Sequence, residues 1–146
     1  MSVFTKIIAG EIPGRFVWSD PSAVAFADVE PHRPGHVLVV PRQEIDKFTD
    51  LDDDLAAHLF IVAKRIGNAQ IEAFGVPRAM MVIAGLGVPH THLHVIPAES
   101  EKAIGFDQAR KNVPGEELDA DMEKLRAALR NQGWGEFVPK DLHTLA

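Results

Sequence analysis

The chain contains no cysteine. That excludes disulfides and thiolate metal ligands, and it suits an intracellular setting. No apolar run approaches the ~18 residues of a membrane span. The opening stretch MSVFTKIIAGEIP lacks the long apolar core and the small-residue cleavage site of a secretory signal, so a cytoplasmic protein away from membranes is expected. Positive charge is not in surplus either. Against 21 Asp and Glu stand 15 Lys and Arg, and the net charge of −6 argues against broad binding to nucleic acid or anionic lipid. An anionic ligand would need local donors to hold it. Internal repeats and low-complexity tracts are also missing. The 146 residues, 46% hydrophobic and 25% charged, fit one ordinary folded domain.

What stands out is histidine, concentrated in one place. Of seven histidines, three fall within five positions, at His90, His92 and His94. A strand turns alternate side chains to one face, so these rings would form a row at ~6.6 Å per step, with Thr91, Leu93 and Val95 pointing the other way. Three uses fit such a row. The rings can be structural and satisfied by hydrogen bonds, although burying three of them is expensive without a purpose. They can hold a metal, with His32, His36 or His58 as a further ligand that no spacing selects. They can also carry phosphoryl or nucleotidyl transfer. A neutral imidazole is a competent nucleophile near pH 7, provided its second nitrogen keeps the proton.

The remaining pattern predicts an α+β domain. Lys6 to Ile8 reads as a short helical turn, ended by Gly10 and Pro13. Arg15 to Ser19, Ala23 to Asp28 and His36 to Val40 read as three strands of an antiparallel meander. A long helix over 53–74 follows, with acidic residues at its start and an apolar stripe from Leu55 through Leu59, Val62, Ile66 and Ala69 to Ala73. Gly67 in its middle should cost up to ~1 kcal/mol relative to alanine. Ala79 to Ala84 is apolar throughout and predicts a strand buried on both faces. Residues 99–117 read as loop, and Leu118, Met122, Leu125 and Leu129 mark a C-terminal helix with Gly133 just beyond it. The expected architecture is an antiparallel sheet of about five strands with one long central helix. Residues 1–98 form the core and 99–146 a loop and helix packed on the same domain. Trp134 could pack on that core or reach a partner subunit.

His90 to Ile96 reads His-x-His-x-His followed by two apolar residues. It resembles the signature of the histidine triad (HIT) family. Lys6 to Pro13, Phe26 to Val29 and Pro34 to Pro41 are similar to further segments of that family, in the same order, so the resemblance covers roughly residues 4–97. It implies a HIT-like fold and roles for particular residues. His92 would be the nucleophile that takes up a nucleoside phosphate. His94 would contact the α-phosphate, and His90 would order the backbone around the nucleophile. Asp28 would bind the ribose hydroxyls. Phe4, Ile7 and Phe26 would enclose the base, and the amides around Gly87 and Val88 would face phosphate.

Two departures from the pattern carry information. Many bacterial members have two cysteines and a histidine that, with the first triad histidine, bind structural zinc. Here Ser2, Thr5 and Glu44 stand in those places, so neither a metal nor another cofactor is expected. The loop before the triad usually offers Gln and Ser or Thr, whereas this chain has Gly85, Leu86 and Gly87. Losing one well-placed donor lowers a rate by ~10² to 10³. The resemblance therefore implies a homodimer that binds an AMP-like purine nucleotide and cleaves nucleoside phosphoramidates or related adenylyl compounds through a nucleotidyl-histidine. The alternative is a regulatory nucleotide-binding module of the same fold with little catalysis, and a metal-dependent hydrolase is a third reading.

Overall fold

A computed structural model describes residues 1–145. Seven principal elements follow one another: α1 (Val3–Ala9), β1 (Phe16–Ser19), β2 (Ala23–Ala27), β3 (Val37–Pro41), α2 (Asp53–Phe74), β4 (Arg78–Val82) and β5 (Leu93–Ala98), before a C-terminal α3 (Gly115–Asn131). The strands form one sheet in the order β1-β2-β3-β5-β4, antiparallel at every junction. The fold is α+β, with the long central helix and the C-terminal helix that the periodicity predicts.

Each face of the sheet has its own apolar cluster. Val17, Ala25, Val39, Leu93 and Val95 point to one side, where Leu59, Val62 and Ile66 of α2 and Met122, Leu125 and Leu129 of α3 cover them. Phe16, Val24, Phe26, Leu38 and Val40 point to the other side and meet Phe4 of α1. Because α1 is short, it covers only part of this second face. His94 stands on that face, opposite Leu38 across the β3–β5 ladder.

Local signals explain the helices. Asp52 caps α2 by accepting the Leu55 amide at 2.8 Å, and Gly75 ends it in the left-handed region. Ser2 caps α1 by accepting the Thr5 amide at 3.0 Å. The buried Gly67 has a reason to be in mid-helix: a Cβ there would lie 3.1 Å from Ala79 Cβ, so glycine lets α2 approach β4. Trp134 packs on the core. Its ring packs on Trp18 and lies under the Arg65 guanidinium, 3.8 Å from the ring centroid.

Three expectations need correction. The apolar run from Ala79 makes strand β4 at an edge of the sheet, with Arg78 exposed and the others half-buried rather than covered on both faces. Residues 99–117 are not plain loop: short 3₁₀ turns occupy Glu101–Ile104 and Phe106–Gln108, and α3 already begins at Gly115. The third concerns the histidines. Only His94 lies in a strand, because β5 starts at Leu93. Upstream the backbone is diverted from the ladder: the His90 amide bonds Val88 O at 2.8 Å and the Thr91 amide bonds Ile45 O at 2.7 Å.

Candidate active site

The three triad rings still converge, by different means. His92 and His94 have ring centroids 5.1 Å apart, and Phe4 meets His92 edge-on at 4.8 Å and His90 at 5.8 Å. Phe26 stands 5.7 Å from Phe4, and Ile7 and Val88 pack on the same cluster. Gly87 lies on the exposed loop beside Val88, where an added Cβ would meet nothing within 4 Å. Asp28 follows β2 and turns back toward the rings. Its Oδ1 accepts the Glu30 amide at 2.9 Å, and its Oδ2 lies 3.6 Å from His36 Nε2 and 3.8 Å from His94 Nδ1. Burial raises the Asp28 pKa above the usual carboxylate value. The structure thus brings His90, His92, His94, Asp28, Phe4 and Phe26 to one face, with Ile7 and Val88 beside them.

Hydrogen-bond partners assign the tautomers. Carbonyl oxygens only accept, so His92 Nδ1, 2.7 Å from its own chain's His90 O, must carry the proton. The lone pair of neutral His92 is then on Nε2. A second chain of bonds orders His94. The His32 amide donates to His36 Nδ1 at 3.0 Å. His36 therefore keeps its proton on Nε2, which donates to His94 Nδ1 at 3.0 Å. This leaves His94 Nε2 as a donor. Burial holds both rings neutral, His36 with a pKa pushed down to about 2 and His94 to about 4. The result is an acceptor on His92 next to a donor on His94.

His36 is a partner that the triad motif does not reveal. The signal was its phase: in the run from His36 to Val40 it alternates onto the face of Leu38 and Val40. His32, which the sequence offered only as a possible metal ligand, and Phe106, which it did not offer, also join the site. His32 Nδ1 donates to Ala103 O at 2.8 Å, and the exposed Phe106 ring meets His94 and His32 edge-on, each at 5.6 Å. No periodicity links Phe106 to a site twelve residues upstream.

Two clusters can be tested as metal sites. Asp28, His36 and His94 bring ligand atoms within 4.8 Å of one another. However, His36 Nδ1 accepts the backbone amide of His32, so its Nε2 carries a proton and has no lone pair for a cation. The position of the family's structural zinc is filled by Ser2, Thr5, Glu44 and His90. His90 Nε2 donates to Pro41 O at 2.8 Å, and its Nδ1 accepts the Ser2 hydroxyl at 2.7 Å. Thr5 Oγ1 donates to Glu44 at 2.8 Å. Neutral hydroxyls already engaged with one another are poor zinc ligands, and this donor set does not fit the ion.

A comparison with known proteins gives the lineage. An uncharacterized HIT-like protein of Methanocaldococcus jannaschii is 34% identical over 129 residues, spanning 79% of this chain and all of that protein. An adenosine 5′-monophosphoramidase of Saccharomyces cerevisiae is 31% identical over 123 residues, covering 82% of this chain and 73% of the enzyme. Among solved structures, a hypothetical histidine triad nucleotide-binding protein of Sulfolobus tokodaii superposes with a TM-score of 0.77 at 26% identity, covering 88% of this chain and 91% of that one. The model of the HIT domain matches residues 9–101. With the triad at His90, His92 and His94 inside that match, the chain belongs to the histidine triad family.

Proposed function

We propose that this protein is a nucleotide-binding hydrolase that cleaves purine nucleoside phosphoramidates or related adenylyl compounds through a nucleotidyl-His92 intermediate. One observation carries the reading: the bond from His92 Nδ1–H to the His90 carbonyl fixes the lone pair on Nε2, beside the His94 donor. Kinship to a monophosphoramidase and likeness to a nucleotide-binding protein support it.

In the first step Nε2 of His92 attacks the α-phosphorus, and the bond from phosphorus to the leaving group breaks. His94 Nε2–H donates to a phosphate oxygen as charge grows there. The imidazolium formed on His92 keeps its Nδ1 proton on the His90 carbonyl. Asp28 accepts from the ribose hydroxyls, while Phe4, Ile7 and Phe26 wall the base. The leaving group occupies a cleft of about 560 Å³ bordered by Lys47, Phe48, Thr49, Leu86 and His92. Leu86 can supply no proton, so the departing amine takes one from solvent. Water then attacks phosphorus and gives up a proton to solvent, the bond to Nε2 breaks, and the nucleoside monophosphate leaves with His92 neutral again.

Incubation with an aminoacyl-type adenosine phosphoramidate tests this reading. AMP release is expected from wild type, and His92→Asn should lower it by several orders of magnitude, since an amide cannot replace the nucleophile. No AMP release, or a variant equal to wild type, would sink the enzyme reading. Leu86 favours a second reading, because it is 100% exposed at the place where a polar donor is expected. A regulatory module would bind AMP tightly in calorimetry without turnover. We also propose that the functional unit is a homodimer, built on α2 and the edge strand β4.

A further inference from the structure

Ser2, Thr5, Glu44 and His90 form one directed chain of hydrogen bonds. One Glu44 oxygen accepts both the Ser2 amide and the Thr5 hydroxyl. The Ser2 hydroxyl accepts the Thr5 amide at 3.0 Å and donates to His90 Nδ1 at 2.7 Å. His90 in turn donates to Pro41 O, next to the end of β3. The Thr5 hydroxyl also lies 3.2 Å from Ser2 Oγ and 3.5 Å from His90 Nδ1, longer than its 2.8 Å bond to Glu44, and the chain links the start of α1 to the triad. Its charged member is Glu44, on the exposed segment after β3. The Ser2 amide and the Thr5 hydroxyl hold its carboxyl below the usual range, so it stays ionised. Bonds to an ionised acceptor are roughly twice as strong as neutral ones.

The helix at the other end of these bonds needs them. At seven residues α1 is too short to be stable by propensity alone, so its tertiary ties decide whether it stays docked. It carries Phe4, which touches the His90 and His92 rings, and Ile7, which joins the same apolar wall. We propose that Glu44 is a positioning residue: by anchoring Ser2 and Thr5 it holds α1 against the triad, so that Phe4 fixes the His92 ring and closes the nucleoside side of the site. It replaces with hydrogen bonds the tie that a metal would make. The positioning of His92 rests on the proposed nucleotidyl transfer; the anchoring of α1 does not.

The test compares wild type, Glu44→Ala and Glu44→Gln by hydrogen exchange and by steady-state kinetics with an adenosine phosphoramidate. Glu44→Ala should speed amide exchange in residues 3–9 and raise KM at least about tenfold, since it removes two charge-assisted hydrogen bonds, each worth about a factor of ten or more. Glu44→Gln keeps an acceptor oxygen and should recover much of both. Exchange in α2 and the central strands should not change, which separates local release of α1 from general unfolding. If wild type shows no turnover, the hydrolase reading fails by itself, and the same comparison is made on the Kd for AMP. Unchanged exchange in α1 would overturn the anchor. Faster exchange with KM and Kd unchanged would overturn the positioning role.

Discussion

His36 and His94 show how two buried rings can be made to differ without any charge. His36 is fully buried, accepts a backbone amide on one nitrogen and donates with the other. That forces His94 into the tautomer whose Nε2 is a donor. His36→Leu removes the force but keeps an apolar volume. It should lower kcat by roughly 10- to 100-fold, the size typical of losing a partner that fixes a histidine tautomer. Steady-state kinetics checks this; an unchanged kcat would mean that His94 finds its orientation alone. The same rings set an acid dependence of stability. In the unfolded chain a histidine binds a proton below about pH 6.5, whereas the folded rings stay neutral down to about 4 for His94 and about 2 for His36. The unfolded state then holds more protons, so stability is full above about pH 6.5 and falls as pH drops toward those values. By pH 5 the loss should be roughly 2 kcal/mol per ring. Urea unfolding at pH 7 and pH 5 measures it. His36→Leu should show a shallower fall, and an equally steep one would place the dependence elsewhere.

Elements with one clean period were legible in the sequence, and elements governed by pairing were not. The apolar stripe and acidic start over 53–74 give α2 its observed bounds, because a helix closes its own hydrogen bonds. The meander strands came within a residue, because turn residues and prolines bound each apolar run. The histidine row had the right phase but the wrong element. His90 and His92 alternate like strand residues, yet the His90 amide bonds Val88 O and the Thr91 amide between them bonds Ile45 O, and no pattern in the sequence announces those partners. β4 was misread because an apolar strand looks alike at an edge and in the sheet centre. One local feature was concealed by its neighbours. Gly35, just before β3, has φ +91°, and a Cβ there would fall 2.2 Å from the Phe74 ring at the end of α2. Gly35→Ala would therefore combine a left-handed backbone penalty with a clash, and should destabilise by roughly 2–4 kcal/mol. Urea unfolding measures it. A loss under about 1 kcal/mol would mean that the β3–α2 corner relaxes more easily than the close contact implies.

At the scale of the whole molecule the unexplained surface is apolar. On α2, Phe60 is 58% exposed, Ile61 42% and Ile71 37%. Beside them β4 is an edge strand with half-buried methionines, and a cleft of about 290 Å³ runs between the helix and the strand. Open sheet edges and contiguous apolar patches are liabilities that proteins normally cover. Charge also matters: each copy carries −6, so a partner that is a second copy must offset repulsion by apolar burial rather than by ion pairs. Phe60, Ile61 and Ile71 supply such burial, although Lys64 and Arg78 also line the cleft, and a two-fold contact places the same α2 and β4 from both copies face to face. The histidine rings stand on the opposite face of the sheet from α2. Sedimentation of wild type at micromolar concentration should give twice the chain mass. Phe60→Glu with Ile71→Glu should give a monomer with unchanged far-UV circular dichroism. A wild-type monomer under those conditions would remove the second copy as the occupant of this face.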